Sequence, residues 1–147
     1  MDITLASRHA ALDVLVACLD KGQPLDDALV RHKGFAGLEP RDRAFVRLLL
    51  ATTLRRLGEI DEILVALIER PFKAADAAAR QVLRLGTAQL VFLGTPAHAA
   101  VDTSVRLVVD AGMPHLRGLT NAVLRRVARE GIALLAGRDP ARLNTPQ

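Results

Sequence analysis

The stretch VLRLGTAQLVFLGTPAHAAVDTSVRLV, Val82–Val108, decides how the chain folds. Its first half is apolar around most of a helical circumference, the pattern of a helix surrounded by others. Gly86 lies inside that pattern at a cost of about 1 kcal/mol relative to alanine, so close packing against another helix is the expected reason for it. The second half reads as a separate helix, with Thr95 as N-cap, Pro96 at the first helical position, and Gly112 and Pro114 marking its end.

Outward from this stretch the same helical period recurs. Leu5, Leu12, Leu15, Val16 and Leu19 share one face of a first helix that ends at Gly22 and Pro24. PLDDALVRHKG is a short second helix, with Asp26 and Asp27 at its positive end. In PRDRAFVRLLLATTLRRLG, Pro40 fits the first turn and Gly58 the C-terminal cap. Phe45, Leu48, Leu49 and Thr52 are expected on its inner face, with Arg43 and Arg47 outside. EIDEILVALIER is a fourth helix stopped by Pro71, and the fifth begins at Ala75. HLRGLTNAVLRRVAREG is the last, capped by Gly131. No strand pattern competes, so the expected fold is all-α, a bundle of about seven helices over residues 1–131. Residues 132–147, with RDPARLNTPQ, read as a linker or tail.

Composition agrees with one helical domain. Of 147 residues half are hydrophobic, chiefly Ala, Leu and Val, with no Trp or Tyr. The single cysteine, Cys18, excludes an internal disulfide and fits a cytoplasmic setting. No apolar run is long enough to span a bilayer, so no membrane partner is expected. The net charge of +4 is mild, but the positive charge is nearly all Arg, with Lys only at 21, 33 and 73. Arginine suits bidentate phosphate contacts, and a GC-rich genome produces the same excess.

Signatures of catalysis are mostly absent from the sequence. There is no glycine-rich loop after a strand and no P-loop, so no cofactor is expected in this chain. His9, His32, His98 and His115 lie far apart without Cys partners, so no metal is expected either. Cys18 reads as a buried structural thiol rather than a nucleophile. The basic residues carry more: Arg8 and His9 in the first helix, Arg43, Arg47, Arg55 and Arg56 in the third, and Arg125, Arg126 and Arg129 in the last. Asn121, Arg125 and Arg129 form one stripe, opposite Thr120, Val123, Leu124 and Val127. Such a stripe can track RNA phosphates. From pattern alone a solvated face, with arginines favoured near a helix C-terminus, is the commoner reading. No aromatic residues interleave with it, so no stacking platform is evident.

RHAALDVL, DRAFVRLLLATTLRR, VLRLGTAQLVFLGTPAHAAVDTSVRLV and GLTNAVLRRV occur in this order. Together they resemble the NusB-type helical domain over about residues 4–131. Two branches of that family are relevant: free-standing transcription antitermination factors, which bind boxA RNA, and the N-terminal domain of ribosomal-RNA cytosine-5 methyltransferases of the Sun/Fmu (RsmB) type. NAVLRR and DRAFVRLLLATTLRR are more similar to the second. The resemblance implies RNA binding, with small-subunit ribosomal RNA as partner, and a C-terminal S-adenosylmethionine-dependent methyltransferase domain as a further partner. It also implies that catalysis would lie outside this chain, and that Asn121 has a structural role, its amide satisfying buried backbone groups. A protein-interaction scaffold is the third reading. The family can form homodimers, and Val108, Val109 and Met113 would supply exposed apolar surface.

Overall fold

The structure, a computed structural model, describes residues 3–69, 72–73 and 76–145. Nine helices are present among them, seven of which have seven residues or more. They are α1 (Ile3–Leu19), α2 (Leu25–Arg31), α3 (Lys33–Ala36), α4 (Pro40–Arg55), α5 (Leu57–Leu67), α6 (Ala77–Val91), α7 (Ala97–Asp110), α8 (Arg117–Leu134) and α9 (Pro140–Asn144), with a 3₁₀ turn at Pro114–Leu116. The expected all-α bundle is what the chain forms.

α6 is the central helix and packs against α1, α4, α5, α7 and α8. Its residues Ala79, Gln81, Val82, Leu83 and Leu85–Gln89 are all buried. Gly86 has the expected reason for being glycine. A methyl there would fall 2.7 Å from Leu124 Cδ1 and 3.0 Å from Ser104 Oγ. α7 and α8 therefore meet at the bare backbone of α6. The buried amides of α6 are partnered: Gln81 Nε2 donates to Asp20 Oδ1 at 3.0 Å, and Gln89 Nε2 donates to Leu85 O at 3.1 Å.

Several local expectations are corrected. The inner face of α4 is Val46, Leu49, Leu50 and Thr53, whereas Leu48 is 52% exposed. Three leucines in a row, Leu48–Leu50, with Val46 one turn before the last of them, leave the phase of a helix undetermined by one position, and packing against α1 and α6 selects the phase seen. Gly58 does not cap α4, because only Arg56 separates α4 from α5 and Gly58 lies in the first turn of α5. Thr95 is not the side-chain cap of α7. Gly94, at φ +66°, turns the chain so that Thr95 N donates to Gln89 O at 3.0 Å, and α7 starts after Pro96. Gly131 does not end α8, which runs to Leu134; a methyl at Gly131 would lie 3.1 Å from Val91 Cγ2. Val108 and Met113 are buried, so they offer no exposed apolar surface. Pro71 and Ala75 lie outside the described residues.

The segment expected as a linker or tail carries α9, which packs on α5. Asp139 caps it by accepting from Ala141 N at 3.1 Å. Asn144 then grips the start of α5 twice: its Oδ1 accepts from Glu59 N at 2.9 Å and its Nδ2 donates to Glu59 Oε1 at 2.6 Å. Arg138 pairs with Glu62. Gly58 makes the approach feasible, since a methyl there would sit 1.6 Å from the Leu143 carbonyl oxygen.

Candidate nucleic-acid interface

α8 separates its two faces cleanly. Thr120, Val123, Leu124, Val127 and Gly131 are buried against α5, α6 and α7. The helix carries four arginines and one glutamate, and all four arginines, Arg117, Arg125, Arg126 and Arg129, are exposed. Arg117, Asn121, Arg125 and Arg129 recur at four-residue spacing and so follow one slowly winding stripe. Arg126 stands beside it and donates from Nε to Glu130 Oε2 at 2.9 Å. That hydrogen bond, reinforced by charge, lifts the Arg126 guanidinium further above its ordinary value and holds the Glu130 carboxyl below its own. Both side chains remain ionised at neutral pH.

Asn121 does not satisfy buried backbone. It is half-buried, and its Oδ1 accepts from Arg125 Nε at 3.1 Å. A guanidinium can only donate, so this bond fixes the amide with its oxygen toward Arg125 and its NH₂ on the other side. The same amide borders a shallow groove between α7 and α8, about 580 Å³ in volume, lined by Asp102, Val105, Arg106, Arg117, Gly118 and Asn121. Arg117 and Arg106 add to the basic residues expected from the sequence. Arg117 was findable, one turn before Asn121 on the same stripe. Arg106 was not, because only the packing of α7 on α8 brings it there.

The other basic residues are dispersed. Arg8 is only 5% exposed and belongs to the interior. Its Nε donates to Gln89 Oε1 at 2.8 Å, and its guanidinium lies 4.9 Å from the centroid of the Phe45 ring. His9, beside it, is partly exposed and hydrogen-bonds through Nε2 to Asp110 Oδ2 at 2.8 Å, tying α1 to the end of α7. Arg43 braces the chain before α4 by donating to Leu38 O at 2.6 Å. Arg47 lies over Phe35 at 5.0 Å. Arg55 is exposed, and Arg56 is held over Phe92 at 4.9 Å while its Nη1 donates to Glu59 Oε1 at 3.0 Å. α4 packs chiefly on α1 and α6, and α8 on α5, α6 and α7, so the two arginine sets lie on helices that are not close neighbours. The structure thus gathers Arg125, Arg126 and Arg129 on one surface, adds Arg117 and Arg106, and removes Arg8.

Cys18 is half-buried on α1, and burial pushes its thiol up, which keeps it protonated and unreactive at neutral pH. Among the described residues no group of His, Cys, Asp and Glu is arranged to hold a metal ion, and no helix is long and apolar enough to cross a membrane.

Comparison with known proteins agrees with this all-α architecture. The NusB family model matches residues 5–129. A protein of Xanthomonas campestris pv. campestris named ribosomal RNA small subunit methyltransferase B is 40% identical over 133 residues, which are 90% of this chain and 30% of that protein. Proteins of the same name from Pseudomonas putida and Vibrio cholerae are 38% and 35% identical over 135 and 142 residues, again about a third or less of their lengths. The matching part of these relatives is their N-terminal domain. The chain therefore belongs to the NusB family.

Proposed function

We propose that this chain is a non-catalytic RNA-binding domain that holds small-subunit ribosomal RNA for a cytosine-5 methyltransferase activity located in a separate catalytic domain. The observation that carries this reading is the solvent face of α8, where Arg117, Arg125, Arg126 and Arg129 oppose a single carboxylate, Glu130. The names of the relatives support ribosomal RNA as the polymer. On this reading S-adenosylmethionine, the methyl donor of such enzymes, binds in the catalytic domain. Among the described residues there is no strand, and hence no strand–loop–helix cradle for a nucleoside cofactor.

A salt-series titration with a small-subunit ribosomal-RNA hairpin, competed by a boxA-like single strand, tests the reading. Each phosphate neutralised releases counterions, so four arginines on the RNA give a slope of log affinity against log salt of about −3. The double charge reversal Arg125→Glu and Arg126→Glu is expected to lower hairpin affinity more than tenfold and to flatten the slope by roughly 2. Salt-independent binding, or the same affinity in the reversed variant, refutes it. Stronger binding to the boxA-like strand transfers the domain to antitermination-type recognition.

A further inference from the structure

We propose that the groove between α7 and α8 seats one unpaired guanosine nucleotide of the bound RNA, with Arg106 and Arg117 on its phosphate and Asp102 and Asn121 on the edge of its base. This rests on the RNA-binding reading above and specifies which feature of the RNA the domain selects.

Three observations lead there. The groove is shallow and about 580 Å³, room for a nucleotide. It is also amphipathic in the way a nucleotide is: two arginines from different helices, a carboxylate, an amide, and between them Val105 and the bare backbone of Gly118. A methyl on Gly118 would meet nothing within 4 Å, so open space lies over that backbone where the flat face of a base can rest. Finally, the groove continues into the arginine stripe, since Asn121 lines it and also accepts from Arg125 Nε.

The polar groups of the groove discriminate between bases. Asp102 is exposed and presents two acceptor oxygens. The bond from Arg125 fixes the Asn121 oxygen away, which leaves the Asn121 NH₂ as a donor. Two acceptors beside one donor complement the Watson–Crick edge of guanine, whose N1–H and N2–H₂ donate and whose O6 accepts. Adenine, cytosine and uracil each offer at most one donor group on that edge, and so at most two of the three hydrogen bonds. Pairing in a duplex occupies the same edge, so the nucleotide must be unpaired.

The test measures binding of the whole chain to three RNAs: a hairpin with guanosines in its loop, the same hairpin with adenosines there, and the same stem as a blunt duplex. The wild-type chain is expected to prefer the guanosine hairpin over the adenosine hairpin by about tenfold. Asp102→Asn is expected to reduce that preference to about twofold or less, although it makes the surface more positive. Gly118→Leu fills the groove from a helical position and favours the helix, so its circular dichroism and melting will match or exceed wild type. In that variant the ratio of hairpin to duplex affinity is expected to fall to near one. Equal wild-type affinity for the two hairpins, or a preference that survives both substitutions, overturns the proposal while the salt-dependent binding of the proposed function stands. A wild-type chain that binds none of the three RNAs overturns both.

Discussion

Arg8 on α1 and Arg125 on α8 sit in helices of 17 and 18 residues, each with leucines and valines at helical intervals, yet their guanidiniums have opposite surroundings. Arg8 is sealed between Gln89 and the Phe45 ring, and its charge is part of the core. Arg125 stands in water, tethered only by a bond to the amide one turn earlier. The difference comes from how many neighbours each helix has. α1 is flanked by α2, α3, α4, α6 and α7, so little of its circumference is free, and a polar residue in it must find a partner inside. α8 is covered on one side only, and its arginines collect on the other. An arginine's role is thus set by the layer its helix occupies, and counting arginines does not reveal it.

Substitutions can break this comparison. Arg8→Ala is expected to have the largest effect on stability, a loss of about 3 kcal/mol in urea unfolding, because it opens a cavity beside Phe45 and leaves Gln89 Oε1 without its donor. The slope of RNA affinity against salt should be unchanged in the folded Arg8→Ala protein. A flattened slope would move Arg8 to the RNA surface. Gly58→Ala comes next, with a loss of about 2 kcal/mol, since α9 cannot stay docked over a methyl group. Trypsin cleavage at Arg138 or Arg142 should accelerate in that variant, and unaltered cleavage would mean that α9 does not depend on Gly58.

Smaller effects sharpen the other half of the comparison. Arg125→Ala should change stability by no more than about 0.5 kcal/mol and reduce the salt slope by about 1. The smallest effect belongs to Glu130→Gln, which removes the carboxylate that competes with phosphate for Arg126 and should raise RNA affinity about twofold. The same variant carries a pH signature. Because Arg126 holds the Glu130 carboxyl below its ordinary value, the pair's contribution is present at neutral pH. It disappears as acid protonates Glu130 through its lowered value. Thermal melts between neutral pH and pH ~3 should therefore fall slightly more steeply for wild type than for Glu130→Gln. Parallel curves would show the pair to be inert.

Much of the fold was legible because helical period and turn residues recur along the whole chain. The buried side of α8 was read correctly at Thr120, Val123, Leu124 and Val127, where a single apolar stripe leaves one solution. α4 was misphased by one position because Val46, Leu48, Leu49 and Leu50 permit two. α9 has no signature in the sequence because its docking depends on a missing side chain at Gly58 and one amide at Asn144, neither of which makes a pattern. On the candidate interface, the α8 arginines were visible as a stripe. The groove was not, since Arg106 and Arg117 come together only across α7 and α8.

Gly86 has a mechanical consequence for that groove. The two side chains pressed onto it, Ser104 of α7 and Leu124 of α8, neighbour the groove residues Val105 and Asn121. The floor of the groove is therefore packed onto the central helix at a point with no spare volume, which opposes movement of α7 and α8 toward it. If the groove takes RNA as proposed, rearrangement on binding falls to the RNA, and loops already splayed in solution are captured at the least entropic cost.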